Sequence, residues 1–167
     1  MSPNIVTATQ KVVISRHNFA EVLQDSITRQ RSLHAAVSIA AGELICTFSA
    51  GVVQTYPTYL TIQTGLNNHI TLQPEFLQYI NHSCAPSVFF DTDTMQLLSL
   101  KALEPGGEFT FFYPSTEWDM AQPFVCNCGH SSCLQLINGA SQLSAETLQQ
   151  YKLTGFISQQ VKQQTFL

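Results

Sequence analysis

The chain has 167 residues, of which 44% are hydrophobic and only 11% charged, so we expect a folded domain with a sizeable core and exclude general disorder. The net charge is −4, with seven Lys and Arg residues in total, which argues against direct binding of nucleic acid. The sequence shows no apolar run of membrane-spanning length and no secretory signal, so we expect no membrane association and an intracellular location, cytoplasmic or nuclear. In such a reducing compartment, the five cysteines are expected to be free or metal-bound.

The first two thirds of the sequence consist of short segments rich in β-branched and aromatic residues, separated by turn residues. This pattern predicts a mostly β domain up to Tyr113. A turn at 65–68 joins two of these segments into a predicted hairpin. Pro74 opens a predicted helical turn that ends at Tyr79, and residues 30–38 remain ambiguous. The predicted strands are 12–14, 19–23, 43–48, 59–63, 69–72, 87–90, 96–100 and 109–113.

The last third of the sequence has a different character. Residues 126–133 are dense in cysteine, glycine and serine and predict irregular structure. From Ser144, a typical N-cap residue, the pattern becomes helical, with Glu146 in the first turn. A last helix is predicted at 156–164, and Gly155 separates it from the helix before it.

The cysteines carry the strongest chemical signal in the sequence. Cys126, Cys128 and Cys133 place three thiols within eight residues, and a structural zinc ion takes four ligands, preferably thiolates. The fourth ligand must then come from elsewhere. Cys46 lies within an apolar strand pattern and suits a core position, whereas Cys84 lies in a polar run and is the better candidate. Free, reduced thiols in a loop are the alternative.

Four motifs stand in a characteristic order along the chain. They are the predicted strand 40–45 (AAGELI), the polar run 81–84 (NHSC), the segment 107–113 (GEFTFFY) and the cysteine triplet. This order resembles the SET-domain family of the protein-lysine methyltransferase type with a post-SET zinc motif, and the segment 112–118 resembles its small stand-alone members. The polar run and the triplet are specific in combination, whereas either alone would be weak. The resemblance covers roughly residues 32–139.

The resemblance implies a fold. It is a mostly β SET-domain fold of several small sheets, in which another segment passes through the chain around residues 81–84 and forms a pseudo-knotted core, a rare arrangement. It also implies a SET domain at 1–125, a zinc-binding post-SET segment at 126–139 and a helical C-terminal tail at 140–167.

The activity that the resemblance implies is methyl transfer from S-adenosylmethionine (SAM) to a lysine or another amine, carried by a protein or a small molecule. Tyr113 occupies the position of the family's catalytic tyrosine, whose hydroxyl would orient the amine or help to remove its proton. The implied SAM-binding residues are Asn81, His82, Tyr79 and Leu33. The implied ligands of a structural zinc ion are Cys84, Cys126, Cys128 and Cys133.

Simpler interpretations of these residues stay open at this point. Asn81 and His82 would also suit a turn in which they bind backbone groups, and Tyr113 would suit a core strand. The remaining aromatic candidates are Tyr56, Tyr59 and Tyr79 as walls of an amine channel, and Trp118 as a cover for a ligand or as a packing residue.

The sequence departs from the family pattern in the element that normally carries a G-x-G motif. Aligned on Leu33 and Ala35, this element is 30–32 (QRS) and lacks both glycines. Glycine serves there where a side chain would collide with the ligand or where φ is positive. Gln78 and Phe112 are two further departures. Two functions therefore remain in competition: a SAM-dependent amine methyltransferase, and a SET-like scaffold with a degenerate donor site, used for binding or for small-molecule chemistry.

Overall fold

The computed structural model of the chain describes residues 10–165. Short strands dominate, and no helix of the described residues is both long and apolar enough to cross a membrane. The strands are β1 (Lys11–Arg16), β2 (Ala20–Asp25), β3 (Arg31–Ala35), β4 (Leu44–Thr47), β5 (Ser49–Gln54), β6 (Thr61–Gly65), β7 (Asn68–Gln73), β8 (Asn81–His82), β9 (Val88–Asp91), β10 (Gln96–Ser99), β11 (Thr110–Phe111), β12 (Phe124–Val125) and β13 (Leu136–Ile137). The 3-10 helices are Glu75–Tyr79, Tyr113–Ser115 and Ala140–Gln142, and the α-helices are α1 (Ala145–Leu148) and α2 (Gly155–Thr165).

The strands form five small sheets. Three of these have three strands each, in the orders β1-β2-β3, β4-β10-β9 and β5-β7-β6, and all pairs within them are antiparallel. The other two are the antiparallel pair β12-β13 and the parallel pair β11-β8. The predicted mostly β architecture of several small sheets is therefore confirmed.

One hydrophobic core connects four of the five sheets, all except β12-β13. Its fully buried members include Leu33 from β3, Phe90 from β9 and Phe109 beside β11. The core rings meet edge to face, as for Phe48 and Phe90 at 5.4 Å between centroids, an arrangement that aromatic pairs prefer. These contacts hold the segments on either side of residues 81–84 in a fixed relation to one another.

The C-terminal residues build a second, smaller core. Phe112, Ala140, Leu148 and Ile157 are buried together. The segment after Gly139 crosses so close to residue 118 that a Cβ on this glycine would collide with the Trp118 carbonyl. The tail is thus packed onto the segment that follows β11.

Most predicted elements occur close to the expected positions. The hairpin at 65–68 is β6-β7, residues 126–133 hold no regular element, and Ser144 caps α1 by accepting from the Thr147 N–H at 3.1 Å. The predicted strand 109–113 was too long, because Tyr113 and Pro114 begin a 3-10 helix and proline has no N–H for a strand ladder. Strand β5 was not predicted, and its residues are mostly exposed and pair with β7.

Candidate active site

The polar run 81–84 lies where β8 and β11 cross the middle of the fold. Asn81 is paired with Thr110, and His82 with Phe111, in a two-residue parallel ladder. The Ser83 N–H extends this ladder by donating to the Phe111 carbonyl at 3.1 Å. Because β11 ends two residues before Tyr113, this pairing brings the predicted catalytic tyrosine next to His82, with 5.2 Å between the ring centroids.

His82 connects the tyrosine to the cysteines. Its Nδ1 accepts the Tyr113 N–H at 3.2 Å, and its Nε2 lies 3.3 Å from Cys84 Sγ. Since Nδ1 is the acceptor, the ring proton lies on Nε2 and is donated to the sulfur. Burial lowers the pKa of His82 to about 4, which keeps the ring neutral. Both ring nitrogens are thus used within the protein, and we expect any contact of His82 with SAM to come from its backbone.

The four predicted zinc ligands are brought together. The sulfur atoms of Cys84, Cys126, Cys128 and Cys133 all lie within 4.8 Å of one another, with 4.0 Å between those of Cys84 and Cys126. Four sulfurs at the usual zinc distance in a tetrahedron are about 3.8 Å apart, whereas a disulfide needs about 2 Å. The Leu134 N–H donates to Cys84 Sγ at 3.4 Å, as second partners of metal thiolates do. This cluster could hold a metal ion, and it is compatible with a post-SET motif.

The electrostatics of the four thiols also fit a cation. Burial raises the pKa of Cys84 to about 11 and that of Cys126 to about 12. Burial acts in the same direction on Cys128, but hydrogen bonds from the backbone of His130 and other groups outweigh it and lower its pKa to about 6. Four adjacent thiolates repel one another, so full ionisation of the cluster requires a positive charge at its centre.

Two cavities meet at Tyr113. The first, which we term the β6-side cavity, has a volume of about 750 Å³ and extends to Thr61 and Ile62 on β6. The second, the cysteine-side cavity, has about 730 Å³ and extends to Cys126 and Cys128. Both volumes lie in the range of roughly 300–1,000 Å³ that is typical of small-molecule sites. The residues that line both cavities are Gln30, Asn81, Tyr113 and Phe124.

Asn81 and Tyr79 are both lining residues. Asn81 Nδ2 donates to the Arg31 carbonyl at 2.9 Å, which leaves its Oδ1 as an acceptor without a partner among residues 10–165. Tyr79 accepts from Arg31 Nη1 at 2.8 Å, and the guanidinium lies 5.3 Å from its ring centroid. Near the point where the two cavities meet, which we term the junction, Asn81 Oδ1 is therefore a neutral acceptor and Arg31 is a cation held by Tyr79.

The segment that replaces G-x-G adopts ordinary backbone angles at both glycine positions. Among the described non-glycine residues, positive φ occurs at Arg29, Met95 and Gln135, and at neither Gln30 nor Ser32. Ser32 is buried and its hydroxyl binds His34 Nε2 at 2.9 Å, away from both cavities. Glycine is thus not required here for backbone conformation. Of the two residues at the glycine positions, only Gln30 lines the cavities.

The Tyr113 hydroxyl has no side-chain hydrogen-bond partner among residues 10–165, and the backbone of His82 interacts with it. It is also not one of the fully buried side-chain atoms that lack a partner in that range. It therefore has access to the cavity space. Burial raises its pKa to about 12, and the charges of Glu117 and Glu108 act in the same direction. Tyr113 is consequently a neutral phenol at physiological pH, which can orient a partner but is a poor proton acceptor.

Glu117 is a lining residue that the sequence analysis did not single out. It follows the 3-10 helix that begins at Tyr113, and its N–H donates to the Tyr113 carbonyl at 3.1 Å. Its side chain is 7% exposed and lines the β6-side cavity. Oε1 accepts from the Gln63 N–H at 3.0 Å and from Thr116 Oγ1 at 3.2 Å. Glu117 lies in the family-like segment 112–118, but no pattern in the sequence indicated its place in the site, because its contact with β6 spans 54 positions.

Of the other candidate residues, only some line a cavity. Tyr59 lines the β6-side cavity but is 82% exposed, whereas Tyr56 lines neither cavity. Leu33 is fully buried in the main core, lines neither cavity, and its contact with SAM stays a prediction. Trp118 packs against the C-terminal core. Cys46 lies in β4, outside the cluster of four cysteines, as predicted.

Comparison with known proteins agrees with this geometry. The family model of the SET domain matches residues 30–114, just over half of the chain. The chain is 39% identical over 135 residues to "Methyltransferase flvH" of Aspergillus flavus, an alignment that covers 80% of this chain and 75% of that protein. It is 29% identical over 84 residues to "Histone-lysine N-methyltransferase, H3 lysine-36 specific" of Debaryomyces hansenii, covering 47% of this chain and 11% of that protein. On these matches and the motifs that carry them, the chain belongs to the SET-domain family.

Proposed function

We propose that this chain is a SAM-dependent N-methyltransferase with Tyr113 between donor and acceptor. SET-domain methyltransferases use SAM and act on protein or amine substrates, and SAM-dependent methyltransferase activity is the function that the family and the named relatives support. The observation that supports the finer proposal is the position of Tyr113, which lines both cavities and whose hydroxyl makes no hydrogen bond to another side chain of residues 10–165.

The residues around the junction suit the donor. SAM carries a carboxylate, an adenine ring and an electrophilic methyl group on a sulfonium. Arg31, fixed by Tyr79, offers a cation for the carboxylate. Asn81 Oδ1 is an acceptor for an amino group, and the aromatic Phe124 is a surface on which a ring can pack. The ordinary φ values at Gln30 and Ser32 remove the strain that the missing glycines would otherwise imply.

The tyrosine would hold the acceptor amine rather than deprotonate it. An alkylamine has an ordinary pKa near ~10.4 and is mostly protonated at neutral pH, so it must lose a proton before its lone pair can attack. As a neutral phenol, Tyr113 accepts or donates a hydrogen bond and fixes the nitrogen in line with the methyl group. Its place on both cavity walls allows this contact.

We further propose that the cysteine cluster holds one zinc ion with a structural role. Four thiolates would close the coordination shell and leave no position for a substrate. His82 donates to Cys84 and accepts from Tyr113, so the metal would also fix the tyrosine backbone. Thiols kept free for metal binding suit a reducing compartment, the cytoplasm or the nucleus.

The test compares wild type with Tyr113→Phe. We expect both proteins to bind SAM in calorimetric titration with similar affinity, because the ring and its packing are kept. Methyl transfer to a panel of lysine peptides and free alkylamines should fall by about 10²-fold or more in the variant. If wild type fails to bind SAM at millimolar concentration, the methyltransferase proposal is rejected in favour of a SET scaffold with a degenerate donor site.

A further inference from the structure

Glu117 is a buried acid with no part in the donor and acceptor contacts proposed for Tyr113. It is 7% exposed, and among residues 10–165 the only ion pairs are Lys11–Glu108 and Arg16–Glu21. A buried carboxylate without a counter-ion is costly, because burial removes the water that stabilises its charge. A residue of this kind needs either a structural reason or a ligand.

The structural reason is incomplete. Oε1 accepts the Gln63 N–H and the Thr116 hydroxyl, and this contact joins β6 to the segment after Tyr113. A neutral glutamine could accept the same two hydrogen bonds through its amide oxygen without the cost of a buried charge. The contact with β6 therefore explains the shape of the residue but not its acidity.

The second oxygen faces the β6-side cavity. Oε2 makes no hydrogen bond among residues 10–165. It is nevertheless not fully buried, because His69 Nδ1 is the only fully buried side-chain nitrogen or oxygen in that range that lacks a partner. Since Glu117 lines the β6-side cavity, its free oxygen is open to that space. The backbone fixes its place there, because the Glu117 N–H binds the Tyr113 carbonyl and the Glu117 carbonyl accepts the Ala140 N–H at 2.8 Å.

Tyr113 and Glu117 have complementary properties on the same wall. Burial raises the pKa of Tyr113 to about 12, with the charge of Glu117 adding to the effect. Burial also raises the pKa of Glu117 to about 8, against hydrogen bonds from Gln63 and Thr116 that lower it. Tyr113 is thus a neutral phenol, which is a poor acceptor for the proton of an alkylammonium group, whereas the Glu117 carboxylate can bind such a group as a counter-ion.

We propose that Glu117 binds the amino group of the substrate in the β6-side cavity and accepts the proton that the amine must lose before methyl transfer. This inference rests on the proposed methyltransferase function and names its acceptor as a compact, cationic alkylamine, on a lysine or on a small molecule. The N–H proton moves to Oε2, and the freed lone pair of the nitrogen forms the N–C bond to the methyl group. The C–S bond of SAM breaks with its electron pair going to sulfur. The proton leaves Glu117 for solvent when the product departs.

The first test needs no SAM and uses n-butylamine and Nα-acetyl-lysine amide as probes. Calorimetry at pH 7 in two buffers of different ionisation enthalpy measures the protons exchanged on binding. We expect wild type to release part of a proton on binding either amine, because the cation converts neutral Glu117 to a carboxylate. The apparent affinity should rise between about pH 6 and pH 9. Absence of amine binding, or binding without proton release or pH dependence, overturns the proposal.

The second test uses variants. Glu117→Gln keeps the acceptor for Gln63 and should bind amines about ten- to hundredfold more weakly, with no proton release and a flat pH profile. Glu117→Asp should retain the proton release. The other charged or titratable groups that line the cavity, Arg29, Arg31, Tyr59, Tyr79 and Tyr113, are the same in all variants, so the difference in pH profile isolates Glu117. Glu146→Gln, an exposed change in α1, is the matched control and should behave as wild type.

SAM titration separates this inference from the function on which it rests. If Glu117→Gln binds SAM like wild type but loses proton-linked amine binding, both the inference and the donor site stand. Equal amine binding and equal pH profiles in wild type and Glu117→Gln reject the role of Glu117 while leaving SAM binding and methyl transfer intact. If wild type binds amines with proton release but does not bind SAM, the methyltransferase function fails and the amine site remains.

Discussion

The two cavities that meet at Tyr113 are built from different kinds of sequence. The cysteine-side cavity is lined by residues 81–83 and by Cys126 and Cys128, which belong to recognisable motifs. The β6-side cavity is lined by residues 58–62, which carry no motif, and by Glu117, whose side chain accepts the Gln63 N–H across 54 positions. The motif residues keep a fixed spacing in the sequence, whereas the β6-side cavity, which Arg31 and Tyr79 also line, is assembled from segments that packing brings together.

Metal removal should have the largest effect, and it should act on the cysteine-side cavity more than on the β6-side cavity. Because the cluster joins Cys84 to the segment 126–133, and structural zinc contributes on the order of 10 kcal/mol in small zinc domains, chelation should expose both segments to hydrogen exchange together. The hairpin β6-β7 should stay protected for longer. Metal analysis should find about one zinc per chain.

Two cysteine variants sharpen this first prediction. Cys128→Ser should lose the metal, whereas Cys46→Ser, in β4 and outside the cluster, should retain it. A chelated protein in which only the segment after Cys126 exchanges, with Asn81 still protected, would contradict the coupling. If Cys128→Ser does not change the metal content, the proposed zinc site is rejected.

The next effect concerns pH and the β6-side cavity. Burial raises the pKa of Glu117 from 4.5 to about 8, so the folded state binds this proton more tightly than the unfolded state does. Stability from this group is fully present below about pH 4.5 and is lost as pH rises through about 8. Wild type should therefore lose stability relative to Glu117→Gln over that range, by on the order of a few kcal/mol. Denaturant unfolding of both proteins at several pH values measures this, and a constant difference contradicts it.

Gln63 should matter for the β6-side cavity and not for the donor. Its Oε1 accepts the Trp118 N–H at 2.9 Å, and its Nε2 donates to the carbonyls of Gly65 and Leu66. Gln63→Leu leaves a buried N–H without a partner, which costs about 1–3 kcal/mol, and it loosens the segment that carries Glu117. We expect weaker n-butylamine binding and unchanged SAM binding. Gln150→Leu, at an exposed position, should change neither, and equal losses of both ligands would sink this division of roles.

The smallest effect is expected at the segment that replaces G-x-G. Gln30 has no positive φ that glycine would relieve, so Gln30→Gly should change SAM affinity by less than about threefold. Arg31→Ala removes a cation held by Tyr79 and should weaken SAM binding by about tenfold or more. Calorimetric titration of both variants measures this. A large gain from Gln30→Gly would mean that this side chain obstructs the donor.

The sequence was most informative where chemistry restricts residue types. The cysteine triplet and Cys84 predicted a cluster whose members are 42 positions apart in one pair, because few other arrangements satisfy four thiols. The mostly β architecture followed from strand patterns and turns. Strand β5 could not be predicted in the same way, because its residues are mainly exposed and it exists through its pairing with β7.

Several features of the site could not be predicted, because they depend on the three-dimensional structure. Arg29 takes the positive φ that the glycine positions were expected to need, and backbone conformation at one residue leaves no trace in a pattern of hydrophobicity. The contact of His82 with SAM stays a prediction, and the direction of its ring, towards Cys84 and Tyr113, depends on the three-dimensional crossing of β8 and β11. The pKa of Glu117 is raised by burial, which outweighs the hydrogen bonds from Gln63 and Thr116, and burial follows from the fold.

The contact between Tyr151 and Cys84 constrains the order of events during protein synthesis. Tyr151 Oη donates to the Cys84 carbonyl at 2.8 Å across 67 positions of sequence, and its ring stacks on Phe112 at 3.6 Å. A ribosome must therefore translate well past the polar run before this contact can form. During that interval the nascent chain exposes Phe112 and unliganded thiols, which are groups that chaperones and oxidants recognise. Slow translation between codons 133 and 151 should lower the yield of metal-loaded protein, whereas slow translation before codon 81 should not.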